Sequence, residues 1–368
     1  MNKGAFIVAK YVKTDALYWC VTVPLLSIFG KVCRYTFLSK LISTSSGNLI
    51  LDYLQGKGRA NLDGSFIFAA KAFSFVKLFG NYNYFFWEIV LTVFLNVVFL
   101  SIVLSYLRKR AGLMSVAQFV IVSGDCVFLN AFSYNISKEP VQYAFFLLIF
   151  AIANSRRVLR TKMFFILLTL AIESAFFRRY YMIYAYFLVA GLFYALRIAR
   201  RKKRRFSVYF IAMLLACVSL LAVSSIIVPD MYEELARNRV RLKTDGANTI
   251  ILDYIHSYTP IGTFGNYVIN LFRIAFPVEL LLLSVKYLPF VIFQSYSIVT
   301  IARDKAAFNK NFLWLMLYSS FFLMSVTFEP DFGSVLRHMT VTWMFLLYAL
   351  DNPKSNPLCK AVLRKRTL

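Results

Sequence analysis

The apolar residues of this 368-residue chain fall in ten blocks separated by clusters of charge, and few folds can accommodate that pattern. The blocks are residues 16–30, 85–107, 114–133, 140–154, 163–177, 180–196, 206–228, 278–301, 311–328 and 336–350. A chain in hydrocarbon must satisfy its own backbone hydrogen bonds, which an α-helix does within a single segment. Crossing the bilayer core takes about 20 residues, so the shorter blocks are expected to extend into flanking aromatics. With 60% of the chain hydrophobic, there is more apolar side chain than a soluble core of this size can hide. The pattern predicts an all-α, polytopic transmembrane helical bundle of about ten spans. No internal repeat or low-complexity linker divides it, so residues 1–368 are expected to form a single membrane domain.

The charge clusters orient the bundle. Arg108-Lys109-Arg110, Arg156-Arg157 with Arg160 and Lys162, and the run Arg197 to Arg205 follow the second, fourth and sixth blocks. Arg303, Lys305 and Lys310 follow the eighth, and Lys360, Arg364, Lys365 and Arg366 follow the tenth. With Lys3, Lys10 and Lys13 they all fall on one side, which the positive-inside rule makes the cytoplasm. Both termini are therefore expected in the cytoplasm of a cell whose inner membrane the chain crosses. A net charge of +25 would suggest nucleic acid in a soluble protein. Here the basic runs lie between apolar blocks, where they meet anionic headgroups, so membrane lipids rather than nucleic acid are the expected partners.

Two connections on the opposite face are long, about residues 31–84 and 229–277. The first carries an amphipathic stretch from Phe66 to Phe79, with Lys71 and Lys77 interposed, which predicts a helix lying along the interface. Cys20, Cys33, Cys126, Cys217 and Cys359 show no metal-ligand or disulfide spacing, and no metal or other cofactor is expected. The first block is followed by Lys31 and Arg34 rather than a small-residue cleavage site, so it reads as retained.

Candidate site residues are the charges that lie outside, or deep, where insertion disfavours them. Arg237, Arg239 and Arg241 crowd the second long loop beside Glu233 and Glu234. They form either a self-neutralised surface helix or an anion site, since guanidinium forks bind phosphate or carboxylate bidentately. Glu173 lies about one helical turn inside the fifth block, before the tight turn holding Arg178 and Arg179. It either pairs with Arg178 or, with it, meets an anionic substrate. In the turn Asn135-Ile136-Ser137-Lys138-Glu139-Pro140, the proline suits the first position of a helix and fixes Lys138 and Glu139 at its mouth. Asp125 adds a carboxylate inside the third block.

The densest feature is Phe328-Glu329-Pro330-Asp331-Phe332-Gly333-Ser334-Val335-Leu336-Arg337-His338, between the last two blocks. Gly333 is expected to supply an unusual backbone angle. Asp331 with Arg337 could be a structural ion pair; alternatively the turn binds a charged ligand, with Glu329, Asp331 or His338 accepting a proton.

Taken together, these features resemble the polytopic polymerases of bacterial surface polysaccharide, the Wzy and EpsG-like group. The local cues are Ser137-Lys138-Glu139-Pro140 opening a span, and the late Phe-Glu-Pro-Asp-Phe-Gly-Ser followed by Arg337-His338. The resemblance implies transfer of a growing glycan from one undecaprenyl-diphosphate carrier to another lipid-linked oligosaccharide, on the outer face and without a nucleotide sugar. It also implies flippase and chain-length regulator proteins as partners. Two other classes remain. A glycosyltransferase of the GT-C type would use an acid of the first outer loop, Asp52 or Asp63; a transporter would do no chemistry.

Overall fold

The computed structural model describes residues 11–36, 45–57, 64–110, 112–198, 206–227, 249–256, 259–304 and 311–351, with residues 230, 233, 234, 237, 240 and 308. Arg239, Arg241, Asp63, Cys359 and the basic tail lie outside them. In chain order the helices are α1 (Ala16–Tyr35), α2 (Ser45–Leu54), α3 (Gly64–Ala72), α4 (Val76–Phe79), α5 (Tyr84–Lys109), α6 (Val116–Phe128), α7 (Glu139–Asn154) and α8 (Leu159–Phe176). They continue as α9 (Tyr181–Phe193), α10 (Phe206–Ile227), α11 (Pro260–Ala275), α12 (Leu280–Leu283), α13 (Leu288–Arg303), α14 (Phe312–Phe328), α15 (Phe332–Thr340) and α16 (Trp343–Ala349). The helical expectation holds apart from one short antiparallel pair, β1 (Tyr11–Lys13) with β2 (Leu113–Ser115).

Among the described residues, four helical stretches are long and apolar enough to cross a membrane: Ala16–Tyr35, Tyr84–Lys109, Val116–Ser133 and Val285–Arg303. Glu139–Asn154, Tyr181–Leu196, Val208–Ser224 and Phe312–Phe328 are shorter apolar helices. The last expected span is two helices, α15 and α16, with a turn at Val341 and Thr342 between them. The expected interfacial helix is likewise divided, into α3 and α4 with a turn between them.

Local sequence accounts for several helix starts. The Asp15 side chain accepts from the Tyr18 amide at 2.7 Å to cap α1, and that of Asn83 accepts from the Phe86 amide at 3.2 Å to cap α5. Ser115 and Gln118 form a reciprocal capping box on α6. Thr259 followed by Pro260 opens α11. Helix α7 begins at Glu139, which puts Pro140 second, one place later than the sequence suggests.

The chain forms two compact units, and the divisions fall inside α7 and α15, where composition gives no sign of them. The first unit comprises residues 1–150 with 340–368. In it α1 packs on α5 and α6. Gly30 permits the close approach, since a Cβ there would lie 2.6 Å from the Val127 carbonyl oxygen. The second unit comprises residues 151–339. Its core helix is α14, which is buried along most of its length against α9 and α11. The Tyr184 hydroxyl of α9 donates to the Leu317 carbonyl at 3.0 Å, and Gly191 leaves room for Met316.

Candidate functional site

In the second unit two of the charged turns meet. The turn between α8 and α9 holds Arg178, and the turn between α14 and α15 holds Glu329, with His338 in the following helix. Arg178 Nη1 lies 2.8 Å from His338 Nε2, and His338 Nδ1 lies 2.6 Å from Glu329 Oε1. All three side chains are buried. Beside them Tyr180 stacks on Phe328, with ring centroids 5.8 Å apart and planes 4° from parallel.

The donor inventory fixes the histidine's state in this arrangement. A guanidinium can only donate, so Nε2 must accept, and the ring proton then sits on Nδ1 and is donated to Glu329. Protonating Nε2 would set an imidazolium directly against the guanidinium. The result is a relay of cation, neutral imidazole and carboxylate. Burial alone would push the Glu329 carboxyl up, but the hydrogen bond from His338 and the charges of Arg178 and Arg337 outweigh it and hold it below the ordinary glutamate range.

A depressed carboxyl contributes stability that is present above its unfolded value and lost as pH falls through the folded one. The expected result is that Glu329→Gln is less stable than wild type by about 3 kcal/mol near neutral pH. The difference should vanish in acid below the ordinary glutamate range. Unfolding of the detergent-solubilised proteins across that pH interval measures it; a gap that stays constant into acid would show that the charge of Glu329 is not what matters.

Glu173 is 0% exposed, and neither carboxylate oxygen has a hydrogen-bond partner among the described residues. Its backbone carbonyl caps the end of α8, accepting from the Phe177 amide at 2.8 Å and the Arg178 amide at 3.1 Å. The Glu173 backbone thus anchors the Arg178 amide, and the Arg178 guanidinium, whose charge acts on the Glu173 carboxyl, reaches Glu329 through His338. Arg179, next in sequence, is exposed.

Asp331 has a structural task. As the cap of α15, its Oδ1 accepts from the Ser334 amide and its Oδ2 from the Ser334 hydroxyl, both at 2.8 Å. Arg337, half-buried, donates to the same Ser334 hydroxyl at 3.1 Å, so serine stands where a direct Asp331–Arg337 pair was considered. Gly333 does not have the positive φ expected of it. What it supplies is room, because a Cβ would come within 3.0 Å of Asp331 Oδ1.

The end of the second long loop is an ordered strap on this turn. The Ile251 amide donates to the Pro330 carbonyl at 2.9 Å, and the Phe332 amide to the Thr249 carbonyl at 3.0 Å. From its other side α11 holds the strap. Asn266 exchanges two hydrogen bonds with the Ile255 backbone, Asn270 donates to Asp253, and Arg273 donates to the Leu252 carbonyl at 2.6 Å while gripping Glu279 with both arms. Sequence reasoning missed these residues, although Asn266, Asn270 and Arg273 recur at the i, i+4, i+7 spacing of one helix face.

The other expected site residues lie elsewhere. Arg237 pairs with Glu233 at exposed helical positions, the self-neutralised arrangement allowed for above. Lys138 and Glu139 belong to the first unit. There the Lys138 ammonium sits 4.1 Å from the centre of the Phe66 ring, and Glu139 is buried at the start of α7. Asp125 of α6 is buried, and its Oδ2 has no hydrogen-bond partner among the described residues. Among the described residues no cluster of His, Cys, Asp and Glu has the makings of a metal site. No family model matches the chain, and no curated protein and no solved structure matches it.

Proposed function

We propose that this chain is a membrane polymerase that joins undecaprenyl-diphosphate-linked oligosaccharide units into surface polysaccharide on the outer face of a bacterial cytoplasmic membrane. In this reading the helices make about ten crossings, both termini are cytoplasmic, and the two charged turns face outward. The observation that carries the reading is the meeting of Arg178, His338 and Glu329 from turns far apart in sequence. Ionisable groups this deep among apolar helices are costly and are generally retained for function.

The chemistry follows from the relay. A lipid diphosphate arriving at the turns draws on Arg178, with exposed Arg179 and half-buried Arg337 completing the clamp on its charge. Once Arg178 turns to the diphosphate, His338 Nε2 is free to accept the proton of the attacking sugar hydroxyl. Glu329 holds Nδ1–H and offsets the charge that develops on the ring. The new bond runs from the sugar oxygen to the anomeric carbon, and the diphosphate leaves with the electrons of the broken carbon–oxygen bond. Asp331 acts only through the turn it caps.

Arg337→Ala tests the reading with little risk to folding, because Arg337 is only half-buried. The expected result is a loss of long polymer and a build-up of single lipid-linked repeats facing outward, read from glycan length and extracted intermediates. Polymer of normal length would remove Arg337 from the clamp. Inward-facing repeats would point to a transporter instead. The GT-C alternative is favoured by α3 and α4, which follow the acids of the first loop, and by Asp52, exposed on α2.

A further inference from the structure

In the first unit, one end of α1 carries a second charged cluster that the proposed reaction does not use. Lys31, Arg34 and Tyr35 share a face of α1 at i, i+3, i+4, and all three address Glu88 of α5. Lys31 Nζ donates to Glu88 Oε1 at 2.6 Å, Arg34 Nε lies 3.4 Å from the same oxygen, and the Tyr35 hydroxyl donates to Oε2. Arg34 is 3% exposed, Glu88 2% and Lys31 19%. Two cations therefore share one carboxylate, and the cluster carries an unbalanced positive charge.

The donors are also in excess. Lys31 has three N–H groups and two acceptors, Glu88 and the Tyr134 carbonyl at 2.8 Å. Arg34 has five; beyond its Nε contact it uses one on the Ala131 carbonyl at 2.7 Å and one on the Tyr84 hydroxyl at 3.0 Å. That leaves one N–H on Lys31 and two on Arg34 with no acceptor among the described residues. A buried positive charge with unused donors is unstable without an anion.

We infer that Lys31 and Arg34 form a phosphate-binding site at the end of α1 that the charge pattern puts on the outside. The N–H groups left over match the oxygens of a phosphate group, and a guanidinium beside an ammonium is a common way to hold one. Lys31 and Tyr35, the more exposed members, are the side of entry. The phosphate comes either from an anionic lipid headgroup at the membrane surface or from a soluble phosphate. This site does not depend on the glycan reading, since it involves none of the residues placed in the relay.

The test is retention of phosphatidylglycerol, against diacylglycerol as the phosphate-free control, by the full-length protein in native mass spectrometry. Wild type should keep phosphatidylglycerol and not diacylglycerol, and Lys31→Gln should weaken retention about tenfold, as loss of one charge-assisted contact implies. Glu88→Gln should move the other way and strengthen it, because it removes the competing carboxylate while keeping its shape. A purely structural cluster would lose stability in both variants with no opposite change in lipid retention. Lipid that resists millimolar inorganic phosphate identifies the headgroup as the source; displacement with a rise in Tm identifies a soluble phosphate. Unchanged retention in a folded Lys31→Gln protein, or equal retention of diacylglycerol, overturns the proposal.

Discussion

Replacing Arg178 with alanine is expected to have the largest single effect in the molecule, destabilising it by about 3–5 kcal/mol and abolishing polymer. The guanidinium is buried and donates to His338 Nε2, whose other nitrogen is held by Glu329. Without it, Glu329 keeps its imidazole partner but loses the only cation in the buried relay, while Nε2 loses its donor. A buried carboxylate that loses one of the cations holding it costs more than the pair was favourable. Arg178→Lys should fall between the two, since an ammonium keeps the charge without the planar fork. Denaturant or thermal unfolding of the purified proteins gives the first quantity and surface-glycan length the second. If Arg178→Ala unfolds at the wild-type midpoint and the cells still make long polymer, neither the relay nor the clamp exists.

What the sequence could and could not reveal follows from distance along the chain. Helix α6 was legible because its signals are local: an apolar run opened by Ser115 and Gln118. The exceptional nature of Glu173 was legible too, since an acid one turn inside an apolar block is visible without a partner. Its surroundings were not. Arg178 and His338 are 160 positions apart, and no periodicity links them. Lys31 and Glu88 are 57 apart, and each sits at the edge of an apolar block, where a charge reads as an ordinary end of a span. Asp331 shows the opposite failure. Its place three residues before Ser334 is a capping spacing, but a dense group of charges nearby made a reactive role the more obvious reading. The strap at residues 249–255 was hidden because its order comes from α11 side chains that bond its backbone and Asp253, and from backbone hydrogen bonds to the late turn, which composition does not encode.

Glu173→Leu is expected to stabilise the protein by about 1–3 kcal/mol and yet to impair polymer formation. Both carboxylate oxygens are buried without a hydrogen bond among the described residues, so the native state bears a desolvation penalty that a leucine of similar bulk does not. The loss of attraction to Arg178 works against this gain, but Arg178 keeps its place in the relay with His338 and Glu329, so the gain should prevail. A residue that lowers stability where it stands is one whose presence the fold does not explain. In the proposed cycle Glu173 lies beside the root of Arg178, where it can hold the guanidinium when that group leaves His338 Nε2. Removing it should therefore slow the step that frees the base while leaving the folded protein more robust. Midpoint of unfolding and polymer length, measured on the same preparation and strain, decide the matter. A less stable Glu173→Leu protein would mean that the carboxylate is held by the fold, and a more stable one making normal polymer would remove Glu173 from the mechanism.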